Sequence, residues 1–401
     1  MAGAHPFGVV PLFPESLMSV SRRAFLTSIG AGGAGVLALP LIHGRGREAL
    51  YAQSSTGRRA DRMAAAANGI IRIDSNENPN GAGEKVFQAM HGAFAEANRY
   101  PFKFEEDLRA AIAKLHGVKS ENVLLSCGSG ELLRVTVQAL TSKERALVVA
   151  SPTFETSANF AKFLGASVRS VPVDAKLRLD LQPMAEASKG AGLVYFCNPN
   201  NPTATVHGKA AVAAFVEQVG KTSPQTTILV DEAYHEYVDD PAYATAIPLA
   251  MQNPHVIVTR TMSKVFGMAG VRCGYAIGLP EALDKISPWI LDSGVNQLAL
   301  AGAAVAITDT AHIAAEQKKN REAKAFTRKF FESAGFAVGI SDANFLMVDI
   351  RKDVKLFKAE ALKRGVAVGR QFPPLNTQLR ISIGTLSEMQ RAAEALKPIL
   401  V

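Results

Sequence analysis

Cysteine is scarce in this chain: there are three, Cys127, Cys197 and Cys273, in 401 residues. An odd count without C-x-x-C spacing supports neither a disulfide framework nor a cysteine zinc site. The eight histidines show no ligand spacing such as H-E-x-x-H, so a metal hydrolase is not indicated and no metal site is expected. No G-x-x-x-x-G-K-[ST] segment is present, which removes the phosphate loop of the nucleotide hydrolases. Charge of one sign is also limited. The net charge is +8, and half of it lies in residues 1–62, where seven arginines face Glu15, Glu48 and Asp61. No basic run with interleaved aromatics occurs, so no nucleic-acid partner is expected. With 48% hydrophobic and 20% charged residues the composition is that of a folded globular protein, which excludes disorder and coiled coil.

No apolar run is long enough for a comfortable membrane span. The one that comes nearest, Thr27 to Ile42, is short and rich in glycine. It follows Ser21-Arg22-Arg23-Ala24-Phe25-Leu26, a twin-arginine pair with the flanking residues that Tat export signals favour. Residues 1–53 therefore read as a Tat-type leader, with the Tat machinery as partner and a periplasmic or otherwise extracytoplasmic destination. Gly30, Gly32 and Gly35 match G-x-G-x-x-G in form only, because no strand precedes them and no βαβ unit surrounds them.

Beyond the leader roughly 340 residues remain, a length natural for two domains. Short apolar runs, Val123–Ser126, Ala146–Ala150, Leu193–Cys197, Thr227–Val230, Val256–Thr259 and Cys273–Ile277, suit strands buried on both faces of a parallel sheet. Helical stretches such as Glu131–Leu140 and Lys209–Gly220 separate several of them, which predicts an α/β large domain. One long helical region, Asn296 to Ala334, then leads to Asn344–Ile350 and Leu379–Ile383, read as strands of a smaller C-terminal domain. In open α/β sheets ligands sit at the carboxyl ends of the strands, so the informative residues belong just after the apolar runs.

Four segments there carry chemistry. In Thr259-Arg-Thr-Met-Ser263-Lys264-Val-Phe-Gly, a lysine directly after a buried strand can form an imine with an aldehyde cofactor. Ser263 and the following Arg272 offer a hydroxyl and a guanidinium suited to one phosphate. In Ile228-Leu-Val-Asp231-Glu-Ala-Tyr234, a strand-end carboxylate can hold a pyridine nitrogen protonated, and Tyr234 can reach the ring's phenolic oxygen. In Cys197-Asn-Pro-Asn-Asn201-Pro-Thr203-Ala204, two Asn-Pro steps aim side-chain amides, Asn201 among them. In Ser126-Cys-Gly128-Ser129-Gly130-Glu131, a tight turn opens a helix whose amides can cradle a phosphate. Singly, each has a plain structural account: a surface lysine, a helix cap, a common turn, a packing turn.

Together and in this order they resemble the class I/II aminotransferases of pyridoxal-5′-phosphate (PLP) fold type I, particularly the histidinol-phosphate aminotransferase branch. The resemblance runs from about Asp74 to the C-terminus. It implies an aspartate-aminotransferase-like α/β fold, with a mostly parallel sheet in the large domain and a smaller α/β C-terminal domain. The implied division is leader 1–53, an N-terminal segment 54–97 packing on the small domain, a large PLP-binding domain 98–292 and a small domain 293–401. Lys264, Asp231 and Tyr234 take the catalytic roles, and Gly128, Ser129, Gly130, Asn201, Ser263 and Arg272 join them in holding PLP. By resemblance Phe154 stacks on the cofactor ring, and Tyr100 reaches the cofactor phosphate of a neighbouring subunit, which implies a homodimer. Arg380 resembles the arginine that grips the substrate carboxylate, and Asn78 and Arg370 are further substrate-binding candidates. Two departures stand out. Ala204 replaces the usual glycine, which requires that its backbone avoid positive φ. Arg370 is followed by Gln-Phe-Pro-Pro, unlike the family's substrate-phosphate segment. The implied activity is a ping-pong transamination between an amino donor, an L-amino acid or a histidinol-phosphate-like amine, and a 2-oxo acid. Decarboxylation, racemisation and oxidation share the same scaffold.

Overall fold

A computed structural model of the protein describes residues 69–400; the twin-arginine segment lies outside them. The first described strand is β1 (Ile71–Ile73), and seven strands follow it in one sheet: β2 (Val123–Ser126), β3 (Leu147–Ser151), β4 (Val168–Pro172), β5 (Leu193–Cys197), β6 (Thr227–Asp231), β7 (Val256–Thr261) and β8 (Gly274–Ile277). Their spatial order is β2-β8-β7-β6-β5-β3-β4, and only β8 runs antiparallel to its neighbours.

The uninterrupted apolar runs follow from burial of both faces. Along β5, Val194 and Phe196 belong to one core cluster with Val230 of β6, whereas Leu193, Tyr195 and Cys197 belong to another with Leu229. The two-residue period of a strand sends alternate side chains to opposite faces, and helices cover both. The edge strand β4 escaped the sequence reading for the same reason in reverse. Its buried Val171 sits among exposed Arg169, Ser170 and Pro172, so it has no apolar run to read.

Strands β9 (Ala337–Val338), β10 (Phe345–Asp349) and β12 (Gln378–Ser382) form a second, antiparallel sheet in the order β12-β10-β9. Strand β11 (Val366–Val368) pairs in parallel with β1, with Ile71 opposite Val366. Ile71 and Ile73 thus share a core with Leu346, Val348 and Ile381, nearly 300 residues later in the chain. This pairing places residues 74–80 beside the loops that end the large sheet.

The helical region predicted over 296–334 is two helices, Gln297–Ala306 and Thr310–Ser333, bent by 83°. Each helix starts on its own cap. Asn296 accepts from the Ala299 amide at 2.9 Å to start the first helix, and Asp309 accepts from the His312 amide at 3.3 Å to start the second. The first helix packs into the large core through Ala299, Leu300 and Ala303, and the second carries Ala323 and Phe331 into the other core.

Candidate active site

At the carboxyl ends of β5, β6 and β7 lies a cavity of about 510 Å³. It gathers residues from across the chain, including Ser129, Phe154, Asn201, Asp231, Tyr234, Ser263, Lys264, Arg272, Arg370 and Arg380. Of the residues singled out from sequence, Gly128 lies directly behind this wall, and Tyr100 and Asn78 lie elsewhere.

One end of the cavity is cationic and rich in donors. Arg272 donates from Nη1 to Ser263 Oγ at 3.2 Å and to the Ala269 carbonyl at 2.8 Å. Its guanidinium lies against Gly128, where an added Cβ would stand 2.1 Å from Nη2. Only glycine fits there, and its φ of +76° is one that glycine adopts without strain. The turn opens the helix Ser129–Leu140, whose first amides have no carbonyl one turn back to bond. Nothing stands within 4 Å of the point where a Cβ of Gly130 would lie, so the helix start faces open space.

At the centre, Asp231 is 3% exposed and all its hydrogen-bond partners are neutral: Tyr195 Oη at 2.7 Å, the Ala233 amide at 3.2 Å and Thr259 Oγ1 at 3.4 Å. Burial pushes its carboxyl pKa up, with Tyr195 opposing. Lys264 opens only to the cavity. Burial, and secondarily Arg380, lower its amine to about 8, and Nζ donates to the Asn76 carbonyl at 2.9 Å. Tyr234 Oη receives the side-chain amides of Asn76 at 3.1 Å and Asn201 at 3.3 Å, and burial holds the hydroxyl protonated. Arg380 donates to Asn201 Oδ1 at 2.9 Å and to the Asp74 carbonyl at 2.7 Å.

Two expectations, for Asn78 and Ala204, change here. Asn78 does not reach this cavity: its amide donates to the Val265 carbonyl at 2.9 Å, and it lines a separate, smaller pocket. Asn76, two residues earlier, occupies the site instead, pinned by Ser382 Oγ at 2.6 Å. Tyr100 is 78% exposed and stacks on Phe102, with 5.8 Å between ring centroids. Ala204 does not avoid positive φ; it has φ 60°, a conformation costing an alanine roughly 1 kcal/mol. Its fully buried methyl and its amide bond to the Asn200 carbonyl at 2.7 Å hold it there. Tyr195 and Glu155 were also missed. Tyr195 lay inside a run read only as buried strand, although a hydroxyl there had to find a partner.

Behind Asp231 a buried ionic network fixes the turn that carries Tyr234. Arg260, 3% exposed, holds Glu232 at 2.7 Å and Glu236 at 3.2 Å. Beside it His235 contacts Tyr243 Oη at 3.1 Å and His116 contacts Tyr275 Oη at 3.0 Å. Burial first, then Arg260, lowers His235 to about 2 and His116 to about 4. The unfolded chain binds protons that the folded protein refuses, so stability is lost as pH falls below the unfolded histidine value of about 6.5. Allowing for partial solvent screening, urea midpoints are expected to reveal a loss of about 1–3 kcal/mol between pH 7 and pH 5. The double variant His116→Gln/His235→Gln should flatten that slope; an unchanged slope would contradict the assignment.

Residues 68–396 match the family described as aminotransferase class I and II. The chain belongs to this family. Relatives include the histidinol-phosphate aminotransferase of Moorella thermoacetica, 35% identical over 335 residues, covering 82% of this chain and 86% of the relative. Among solved structures, a putative histidinol-phosphate aminotransferase from Erwinia carotovora atroseptica aligns with TM-score 0.79 at 31% identity, covering 82% of this chain and 96% of that one. A histidinol-phosphate aminotransferase from Sinorhizobium meliloti, in complex with pyridoxal-5′-phosphate, aligns with TM-score 0.76 at 27% identity, covering 82% and 90%. The aspartate-aminotransferase-like α/β fold expected from sequence is the fold of this aminotransferase.

Proposed function

We propose that this aminotransferase moves an amino group between an L-amino acid and a 2-oxo acid at the cavity described above, with Lys264 as the lysine that carries PLP. The observation that supports this most is the convergence of Asp231, of Lys264 and Arg272, and of Arg380 on one cavity from three separate segments. The cavity volume, about 510 Å³, suits a cofactor and a small substrate together. The fit is chemical as well. Arg272, Ser263 and the amides at the start of helix Ser129–Leu140 make a phosphate cradle. Asp231, a buried carboxylate with neutral partners, suits a protonated ring nitrogen, and Phe154 stands where a ring face can rest.

When bound, PLP supplies an aldehyde that links to amines and a ring that spreads negative charge. Lys264 is the general base that removes the proton from the substrate's α-carbon, and an amine lowered to about 8 is suited to that task near neutral pH. Tyr234 and Asn201 would hold the cofactor's phenolic oxygen, and Arg380 would offer its guanidinium to the substrate's α-carboxylate. The relatives' names support a phosphorylated amine such as histidinol phosphate as a second donor class.

The test is a titration of the holoprotein with L-amino acids and histidinol phosphate, followed by absorption. Conversion of the cofactor to its amine form, reversed by a 2-oxo acid, is the expected result and identifies the donor. Absence of conversion by every donor, with ammonia or carbon dioxide released instead, would overturn it.

Two further parts of the proposal concern the whole protein. A homodimer is supported by the exposed aromatics Phe94, Tyr100 and Phe102 on one segment, and Tyr100 is the residue offered to the partner. Sedimentation should give twice the chain mass, and a monomer would refute it. Tat export is supported by Arg22 and Arg23 in their setting. Replacing both with lysine should retain the protein in the cytoplasm, and unaltered export would refute the proposal.

A further inference from the structure

The outer end of the cavity holds a charged pair that the transamination above does not use. Glu155 precedes the helix Thr156–Leu164, and Arg370 lies in the loop after β11. Separated by 215 positions, they meet as an ion pair across the cavity mouth. Arg370 also donates to the Gln371 carbonyl at 2.9 Å and sits 4.0 Å from the centroid of the Phe372 ring. Arg380 lies 4.8 Å from the same centroid. The two guanidiniums therefore share one aromatic platform, and one of them is already engaged by a carboxylate of the protein itself.

Resting on the proposed transamination, a difficulty follows. Both reactants of a ping-pong exchange pass through one cavity, and their side chains can differ in charge. An uncompensated arginine favours an acidic side chain and leaves an unpaired charge beside a neutral one. We propose that Glu155 is a specificity-determining residue, whose carboxylate holds Arg370 in the place taken by the side-chain carboxylate of a dicarboxylic substrate. With a neutral side chain in the cavity Glu155 stays on Arg370. With a dicarboxylate it yields.

The geometry permits that exchange. The side chains of Arg370 and Glu155 are 30% and 43% exposed, and an ion pair that open to water is weak enough to be displaced by a carboxylate of equal shape. Once displaced, Glu155 remains at the start of the helix Thr156–Leu164, where the helix dipole favours negative charge. A phosphate dianion fits less well, since it brings a second negative charge against Glu155.

The experiment measures, by calorimetry on the holoprotein, the binding of unreactive acids: glutarate as dicarboxylate, butyrate as monocarboxylate and methyl phosphate as phosphate. Glu155→Gln removes the internal competitor, so glutarate should bind about 3- to 5-fold tighter with butyrate unchanged. In an Arg370→Gln background, Glu155→Gln should leave glutarate binding unaltered. Glutarate affinity that is unchanged or weaker in Glu155→Gln, or glutarate and butyrate shifting alike, would overturn the proposal. So would methyl phosphate gaining more than glutarate, since Arg370 would then be a phosphate site. Because none of these acids carries an amino group, failure here is distinct from failure of transamination, which the donor titration detects separately.

Discussion

Lys264→Ala is expected to lower transamination by about 10²–10⁴-fold or more, the range over which a positioned acid–base group acts, while leaving PLP able to bind. The two parts of this prediction come from different residues. Lys264 Nζ donates to the Asn76 carbonyl at 2.9 Å, lies 5.2 Å from the centroid of the Tyr234 ring and otherwise faces the cavity, so its removal disturbs little of the core. Arg272, Ser263 and the helix start at Ser129 stand at the other end and are untouched. The variant should therefore take up the cofactor without a covalent link and stay folded. Turnover near the wild-type rate would sink the assignment of Lys264, and loss of folding would show that Nζ is needed for structure. Burial already lowers this amine to about 8, so its removal also relieves a mismatch between a charged group and its surroundings.

Asp231→Asn is expected to cut turnover by about 10²–10³-fold without loss of stability. Asparagine keeps the shape: its oxygen can accept from the Ala233 amide, as Oδ1 does at 3.2 Å, and its amide nitrogen can donate to Tyr195 Oη, which lies 2.7 Å from Oδ2. It cannot carry the negative charge that holds a ring nitrogen protonated, so the substrate's α-carbon proton becomes harder for Lys264 to remove. The stability half of the prediction follows from burial. Asp231 is 3% exposed, burial opposes its ionised form, and its hydrogen-bond partners are neutral, so the folded protein without cofactor gains nothing from the charge. A carboxylate kept where it does not stabilise the fold is expected of a residue held for function. Steady-state turnover and urea midpoints on the same preparations check both halves, and a variant with wild-type turnover would contradict the role.

The central sheet was legible because its strands are buried on both faces. Runs such as Leu193–Cys197 and Thr227–Val230 agree with β5 and β6 to within one residue, and Asp231, Asn201 and Lys264 come at or just after strand ends. What escaped was whatever depends on exposure or on distant pairing. The edge strand β4 buries only Val171, and the helix Phe102–His116 was not singled out from the sequence. The break near Asp309 was hidden because apolar periodicity continues through it, while the cap that starts a new helix is a local hydrogen bond. In the site, Asn76 depends on Ser382, 306 positions away, and Glu155 on Arg370, 215 positions away. Neither pairing leaves a mark on nearby sequence. Ala204 fails for another reason: expecting an alanine to avoid positive φ ignores how strongly its surroundings can hold it, here through two backbone hydrogen bonds and a fully buried methyl.

The most direct test of the central claim is chemical trapping. The protein loaded with PLP is reduced with borohydride, digested and mapped by mass spectrometry. The account predicts a single labelled peptide, with the pyridoxyl phosphate group on Lys264. A label on any other lysine, or no label on a protein that has taken up the cofactor, would contradict it.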